Sequence, residues 1–181
     1  MNRILIIGCS GAGKTTLARK LGAQLGLPGI HLDAYFWDTG WEPMPRLAWQ
    51  EQVDLLTAES KWVMDGNYSG TMERRIAASD AIVFLDLPRW RCLLNVIKRR
   101  IHFAGRNRPE MAHGNRERVQ LSFLWFIWTY RHRNQSRILR WLKEASATRA
   151  VFILQSHAEV ASFLAGERER FRVGIEGLAS S

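Results

Sequence analysis

Apolar runs alternate with segments of helical periodicity along the whole chain. Residues 3–8 form a continuous aliphatic run that ends in glycine, which is typical of a central parallel strand buried on both faces. Residues 14–25 follow with apolar positions at helical spacing, and Gly26 provides a stop signal. Residues 81–87 form the clearest strand pattern in the sequence. A buried strand that leads directly into a helix is typical of a βαβ unit.

The same patterns continue over the rest of the chain and predict five strands and six helices. The predicted strands are residues 3–8, 29–33, 61–65, 81–87 and 150–154. The predicted helices are residues 14–25, 47–60, 71–79, 88–103, 117–146 and 157–170. Strands that alternate with helices predict an α/β fold of three layers, in which helices cover both faces of a five-stranded parallel sheet.

Length and composition indicate one domain of ordinary globular type. The 181 residues, of which 46% are hydrophobic and 24% charged, exclude a disordered or collagen-like chain. The two cysteines provide neither a disulfide framework nor metal-ligand spacing. The apolar stretch at the start is too short for a signal peptide, and the aromatic-rich run 121–130 is shorter than the roughly 20 residues that cross a bilayer. We therefore expect a cytoplasmic protein without a membrane segment.

A phosphate-binding motif joins the first strand to the first helix. Residues 8–15, GCSGAGKT, match the pattern G-x-x-x-x-G-K-[ST]. Glycines in such a loop let successive backbone N–H groups point at phosphate oxygens, and the helix N-terminus adds positive potential. Lys14 is predicted to reach the β- and γ-phosphates of ATP, Thr15 to ligate Mg²⁺, and Thr16 to donate to the α-phosphate. The predicted ATP-binding residues are Ser10, Gly11, Ala12, Gly13, Lys14, Thr15 and Thr16.

Acidic residues occur at or near the ends of three predicted strands, where ligands of open parallel sheets bind. These residues are Asp33, Asp65 and Asp86. For Asp33 and Asp65, a carboxylate satisfied within its own turn is the alternative to a role in binding. The aromatic stretch that follows, residues 35–41, is either a lip over a substrate or part of the core.

These segments resemble nucleotide and shikimate kinases. Residues 62–66 (WVMDG) and 84–88 (FLDLP) resemble the third and fourth strands of adenylate kinases. This resemblance implies that Asp65 holds Mg²⁺ through water and that Asp86 is structural. Residues 31–33 (HLD) resemble the acidic end of strand two in shikimate and gluconate kinases, which implies that Asp33 orients or deprotonates the acceptor hydroxyl.

The predicted basic helix extends the resemblance. Arg99 falls where adenylate kinases place a paired arginine before the lid, which implies that Arg99 holds the transferring phosphate. Asn95 replaces the family arginine that stacks on adenine. Arg131 or Arg133 is expected to close from beyond a mobile lid at about residues 104–116. For the three arginines, an ordinary surface position is the alternative.

Over residues 3–164 the chain resembles the bacterial topology-modulation proteins (the FlaR-like group), which are adenylate-kinase-like P-loop proteins. The motifs that carry this resemblance are DGNY (65–68), DLPRW (86–90), RRI (99–101), RPE (108–110) and WFIW (125–128). The resemblance implies no particular substrate. The TGDM segment that grips the acceptor nucleotide in adenylate kinases is absent, as is GFPR after strand three. The acceptor therefore stays open between a nucleoside, a nucleotide and a similar small molecule.

The positive charge of the chain is concentrated in one segment. Residues 89–149 hold 15 Lys or Arg against three Glu, whereas the whole chain has a net charge of +9. Guanidinium groups bind phosphate bidentately, so this segment indicates a polyanionic partner unless it is a solvated helix face. Arg133, Arg137 and Arg140 fall on one face of the predicted helix 117–146. The many apolar positions of that helix indicate burial in the core, with a homodimer contact as the alternative.

The sequence therefore predicts a phosphotransferase that uses ATP and Mg²⁺ and moves the γ-phosphate to a small-molecule acceptor. Its candidate catalytic residues are Lys14, Asp33, Arg99 and Arg131, and its candidate metal ligands are Thr15 and Asp65. The alternative is a nucleotide-dependent DNA-binding protein that uses the basic segment.

Overall fold

The computed structural model describes residues 1–38, 40–102 and 121–173. In chain order its strands and helices are β1 (Arg3–Gly8), α1 (Lys14–Leu25), β2 (Gly29–His31), α2 (Leu32–Phe36), β3 (Trp37–Asp38), β4 (Glu42–Pro43), α3 (Arg46–Ala58), β5 (Trp62–Asp65), α4 (Met72–Ala78), β6 (Ala81–Leu85), α5 (Arg89–His102), α6 (Leu121–Ser146), β7 (Ala150–Leu154) and α7 (His157–Leu164). Single 3₁₀ turns lie at Ser69–Thr71 and Arg168–Phe171.

Five strands form one parallel sheet in the order β2-β5-β1-β6-β7. Strand β1 lies at its centre, where Ile4 pairs with Val63 on β5 and with Ala81 on β6. Leu5 and Ile6 have no exposed surface, because helices cover both faces of the sheet. This arrangement confirms the predicted α/β fold with a five-stranded parallel sheet.

The strand order places a crevice at the end of β1. After β1 the chain enters α1 and then builds β2 and β5 on one side of β1, whereas β6 and β7 lie on the other side. Ligands of open parallel sheets bind at such a reversal, beyond the carboxyl ends of the strands. Helix α5 follows β6 and packs against α6, so these two helices border the crevice on the β6 side.

The structure differs from the sequence prediction most clearly just after the second strand. The predicted strand 29–33 ends at His31, and the chain then turns into α2, so Asp33 lies on a helix. The antiparallel hairpin of β3 and β4 follows, and the sequence pattern did not predict it. Ile30 and Leu32 are both buried, so the alternation typical of a strand continues where the backbone has already become helical.

Other element ends shift by a few residues. The predicted helix 157–170 ends at Leu164, because Gly166 takes a φ of 104° that terminates it. The predicted lid at about residues 104–116 lies outside the described residues, as do residues 117–120 of the long predicted helix.

Helix α6 is apolar on two sides, and only one of them is buried. Ile127, Tyr130 and Leu142 pack into the core, whereas Trp125 and Trp128 are exposed.

In the described ranges, no helix combines the length and the apolar character needed to cross a bilayer.

Candidate active site

The phosphate loop, residues 8–15, turns back on itself at the carboxyl edge of the sheet. Gly11 and Gly13 adopt φ angles of 82° and 91°, which favour glycine. A Cβ at Gly11 would lie 2.2 Å from the carbonyl oxygen of Cys92 on α5, so the loop packs on α5 where only glycine fits. Helix α1 begins at Lys14, and the amides of its first turn have no partners within the helix. Such amides are suited to phosphate oxygens.

Three side chains hold the phosphate loop in shape. Nζ of Lys14 donates to the carbonyl oxygen of Gly8 at 2.9 Å. Asn67 pairs with both backbone groups of Gly8: its Oδ1 accepts from the amide at 3.1 Å, and its Nδ2 donates to the carbonyl at 2.6 Å. Nδ2 of Asn95 donates to the carbonyl oxygen of Gly11 at 2.9 Å. The loop is therefore fastened both from the β5 side and from α5.

Asp65, the last residue of β5, lies beside the phosphate loop. It is buried, and its Oδ2 accepts a hydrogen bond from Oγ1 of Thr15 at 2.7 Å. Its Oδ1 contacts Nδ1 of His31 at the end of β2. A hydroxyl and a carboxylate in contact beside a phosphate loop fit Mg²⁺, which takes one or two protein oxygens and completes its shell with water and phosphate. In the part of the chain that the structure describes, no cluster of three or more His, Cys, Asp or Glu offers a fuller metal site.

A cleft of about 1120 Å³ opens over the phosphate loop and Asp65. Its strand half follows β2 and β5 and is lined by Asp33, Trp37, Trp41, Asp65, Gly66, Asn67 and Tyr68. Its helix half is formed by α5 and α6 and is lined by Asn95, Lys98, Arg99, His102, Phe123 and Phe126. Pockets for a single drug-sized ligand occupy roughly 300–1,000 Å³, so the volume of this cleft is slightly above that range.

Aromatic side chains form the wall of the strand half. Phe36 packs against Trp49 and Tyr68 with ring centroids 5.0 and 4.6 Å apart, and Trp49 is buried in the core. Trp37 lies 4.9 Å from Phe36 and meets Trp41 at 5.6 Å with an angle of 67° between the rings. The wall is therefore anchored in the core and ends in three aromatic rings that line the cleft.

Asp33 and Tyr68 are joined by a hydrogen bond across the strand half. The Tyr68 hydroxyl donates to Oδ1 of Asp33 at 2.6 Å. Burial and the neighbouring Asp33 carboxylate raise the pKa of Tyr68, so its hydroxyl stays protonated and remains a donor. Asp33 itself is exposed to the cleft, where its carboxylate can accept a hydrogen bond from a ligand hydroxyl.

The two arginines that follow this segment do not line the cleft. Arg75 is fully buried, and its guanidinium donates to the carbonyl oxygens of residues 66–68 at 2.8, 3.2 and 2.8 Å. Burial lowers the pKa of Arg75 to about 9, so the group is still a cation at neutral pH. Arg74 pairs with Asp54 of α3 on the surface. Arg75 thus fixes the backbone that carries Asn67 and Tyr68.

The structure brings most of the predicted site residues to the cleft. Those that line it are Ser10, Gly11, Gly13, Lys14, Thr15, Thr16, Asp33, Asp65 and Arg99. The side chain of Ala12 is buried instead, and its amide donates to the carbonyl oxygen of Cys9 at 3.1 Å. Arg131 does not line the cleft: it pairs with Asp86 at 3.3 Å. Burial raises the pKa of Asp86, although Arg131 opposes this shift.

Three features of the candidate site were not predicted from the sequence. These are the contact of His31 with Asp65, the pairing of Asn67 with Gly8, and the buried Arg75. Asn67 stands directly after the Asp-Gly pair that ends β5, so its position did carry a signal. No local pattern marks Arg75, because its burial depends on carbonyl groups that only the folded loop orients.

Solved structures with the same fold include two shikimate kinases and a gluconokinase. The shikimate kinase from Bacteroides thetaiotaomicron has a TM-score of 0.53 at 19% identity over 93% of this chain and 97% of that kinase. The shikimate kinase from Acinetobacter baumannii has a TM-score of 0.56 at 15% identity over 92% and 90%. The gluconokinase from Sinorhizobium meliloti 1021 has a TM-score of 0.51 at 15% identity over 93% and 94%. This chain therefore has the fold of P-loop small-molecule kinases.

No family model and no curated protein matches the sequence. The resemblance to the topology-modulation proteins is accordingly not confirmed, and the low identities to the solved kinases establish the fold alone.

Proposed function

We propose that this protein is a phosphotransferase that moves the γ-phosphoryl group of ATP to a hydroxyl group of a small molecule. The observation that carries the proposal is the 2.7 Å contact between Thr15 of the phosphate loop and Asp65, in a cleft that Asp33 also lines. Phosphoryl transfer asks a protein chiefly for positioning and for neutralisation of phosphate charge. The two halves of the cleft supply room for the phosphoryl donor and the acceptor. The phosphate loop supplies positive potential at the N-terminus of α1.

The phosphate loop binds the triphosphate in this proposal. Lys14 exchanges its two carbonyl partners in the loop for oxygens of the β- and γ-phosphates. Thr16 donates to the α-phosphate. Thr15 and Asp65 are the protein ligands of Mg²⁺, which when bound neutralises phosphate charge.

Groups from the two halves of the cleft complete the site. Arg99 lines the helix half and holds the transferring phosphoryl group, whose charge it offsets. Asp33 lines the strand half and orients the acceptor hydroxyl or accepts its proton. Arg131 is left out, because it pairs with Asp86 away from the cleft. A lid at residues 104–116 remains a prediction that lies outside the described residues.

Transfer of radiolabelled γ-phosphate from ATP tests the proposal. Acceptors are offered as a panel of nucleosides, nucleoside monophosphates and small hydroxy acids. We expect a Mg²⁺-dependent phosphorylated product with at least one acceptor, reduced about 100-fold by Asp33→Asn, which removes the base or orienting group. Asp54→Asn on α3 is the matched control, because Asp54 pairs with Arg74 outside the cleft and its loss should leave transfer intact. Hydrolysis of ATP without a phosphorylated product from any acceptor would contradict the proposal.

Nucleic-acid binding is the second candidate function, and one observation favours it. Arg133, Arg137 and Arg140 of α6 are all exposed, as the basic face predicted from the sequence requires. Arg137 also lies over the Trp141 ring at 5.2 Å from its centroid. If this face binds duplex DNA, affinity falls steeply with salt, and replacing the three arginines by glutamine flattens that dependence. Equal binding by the triple variant at low salt would remove this candidate.

A further inference from the structure

The two halves of the cleft differ in charge. Among the described residues, the Lys and Arg side chains that line the cleft all belong to α1 or α5; they are Lys14, Arg19, Lys98 and Arg99. Of the two carboxylates that line the strand half, Asp65 is bonded to Thr15 and His31, so Asp33 is the one that faces an acceptor. Among the described residues, the charge that the strand half presents to an acceptor is therefore the Asp33 carboxylate, whereas the phosphate-binding surface is basic.

The two arginines that follow residues 65–68 in the chain both have partners outside the cleft. Arg75 donates to three backbone carbonyls from a fully buried position, and Arg74 pairs with Asp54 on the surface. An acceptor that carries a carboxylate or a phosphate needs charged or amide donors when it leaves water. In the strand half such a group would meet Asp33 instead.

The same surface offers flat apolar area. Trp37 and Trp41 form a corner of two indole rings beside Tyr68, and all three side chains line the cleft. Trp41 has a φ of 66°, in the left-handed region that favours glycine. Backbone strain of this kind persists where the surrounding structure fixes it, and it is concentrated at ligand-binding sites. The hairpin of β3 and β4 thus holds the Trp41 side chain at the cleft despite an unfavourable backbone conformation.

We infer that the acceptor is an uncharged hydroxyl compound with a flat ring, of the nucleoside type, and is neither a monophosphate nor a hydroxy acid; this inference rests on the proposed phosphotransferase function. The ring packs on Trp37 and Trp41, and the hydroxyl donates to Asp33, which Tyr68 holds in place. In the transfer, the hydroxyl oxygen bonds to the γ-phosphorus, and the bond from that phosphorus to the β–γ bridging oxygen breaks. The hydroxyl proton passes to Asp33, and ADP leaves with the bridging oxygen.

Equilibrium binding to the full chain tests this inference. The nucleotide site is first saturated with Mg²⁺ and AMP-PNP, so that added ligands report on the strand half. The probes are adenosine, guanosine, cytidine and thymidine, each paired with its 5′-monophosphate, together with shikimate as an anionic alcohol and choline as a cationic one. We expect at least one nucleoside to bind about tenfold more tightly than its monophosphate and more tightly than shikimate or choline. Tighter binding of a monophosphate, shikimate or choline than of every nucleoside, or no binding of any nucleoside, would overturn the inference.

Variants of the aromatic corner test where the ring binds. Trp37→Leu and Trp41→Leu should each weaken nucleoside binding about tenfold, because loss of ring stacking is worth roughly 1–3 kcal/mol per base. Their affinity for AMP-PNP should stay within about twofold of the unmodified chain, which also shows that they are folded. Trp90→Leu is the control, since Trp90 is exposed on α5 and does not line the cleft. Unchanged nucleoside binding by both corner variants would overturn the inference.

The charge of the strand half has its own test. Asp33→Asn should narrow the difference in affinity between a nucleoside and its monophosphate, because it removes a negative charge and keeps the shape. An unchanged difference would contradict the role of Asp33 in excluding anions. Failure of the proposed function is seen separately: AMP-PNP then does not bind to the unmodified chain, whereas failure of this inference leaves AMP-PNP binding intact.

Discussion

The carboxylate of Asp80 accepts hydrogen bonds from the backbone amides of Asn2 at 2.8 Å and Arg3 at 3.0 Å, at the start of β1. The Arg3 guanidinium lies 3.6 Å away. Burial opposes ionisation of Asp80, but the two amides and Arg3 outweigh it and hold the pKa of Asp80 below its ordinary value. This carboxylate therefore holds the start of the first strand more strongly when it is ionised.

Replacing Asp80 by asparagine should reduce the loss of stability that the protein shows as pH falls. A carboxyl group whose pKa is lowered by folding stabilises the folded state above its unfolded pKa, and this contribution is lost as pH falls through the folded pKa. At neutral pH we expect Asp80→Asn to lower the free energy of unfolding by about 1 kcal/mol, which is about 2–4 °C in Tm for a chain of this size. Thermal unfolding between neutral pH and about pH 2 measures it. A Tm difference that persists or grows at the acid end would contradict this interpretation.

At the scale of one element, the backbone conformation of the segment between β5 and α4 depends on a buried guanidinium group. Arg75 satisfies three carbonyl groups of residues 66–68, and these residues carry the side chains that hold the phosphate loop and Asp33. Removing the donor leaves buried carbonyls unpaired, at about 1–3 kcal/mol each. Arg74, which directly precedes Arg75, provides a matched comparison, because its replacement removes an ion pair with the half-exposed Asp54.

We expect Arg75→Met to lower the free energy of unfolding by about 3 kcal/mol, or roughly 6–12 °C in Tm, whereas Arg74→Met costs less than about 1 kcal/mol. Parallel thermal melts of the two variants provide the measurement. Equal losses in both variants would show that Arg75 does not support the segment.

The phosphate loop and α5 meet at Gly11, and this contact is the second element-scale test. A Cβ at Gly11 would lie 2.2 Å from a backbone oxygen of α5, whereas a Cβ at Gly13 would have no atom within 4 Å. Both positions have a positive φ, so alanine is strained at each. Gly11→Ala should therefore be less stable than Gly13→Ala by about 1–3 kcal/mol, the usual range for overpacking. Denaturant unfolding of the two variants measures this difference in the free energy of unfolding. A Gly13→Ala variant that is less stable than Gly11→Ala would refute the packing argument.

The sheet, the phosphate loop and the position of Asp65 at a strand end could be predicted from local sequence patterns, because each depends on spacing within one strand–turn–helix unit. The hairpin of β3 and β4 was missed, since its two-residue strands are too short to show alternation. The pairing of Asn67 with Gly8 joins residues 59 positions apart, and the register of β5 beside β1 creates it. The separation of Arg131 from the cleft could not be foreseen either, because the packing of α6 places it beside Asp86.

Helices α5 and α6 carry an apolar outer face. The exposed side chains that form it are Trp90, Leu94, Ile97, Ile101, Leu121, Trp125 and Trp128. On each helix these residues follow the i, i+4, i+7 spacing of a single face. Large exposed apolar patches are typical of contact surfaces, so the homodimer contact considered for α6 remains a prediction.

If two copies associate through this surface, Trp125→Glu should convert a dimer to a monomer without loss of ATP binding, because Trp125 does not line the cleft. Sedimentation equilibrium at micromolar concentration measures the mass of both proteins. A monomer in the unmodified chain, or a dimer that persists in the variant, would exclude this surface as the contact.

The proposed function depends on binding of a triphosphate by the phosphate loop, and calorimetric titration with ATP and Mg²⁺ tests that binding most directly. The unmodified chain should bind ATP, and Lys14→Ala should lose about 100-fold or more in affinity, because it removes the charged donor to two phosphates. Lys20→Ala, an exposed lysine of α1 outside the cleft, should bind ATP as the unmodified chain does. Equal affinity of the Lys14→Ala variant for ATP would contradict the central claim.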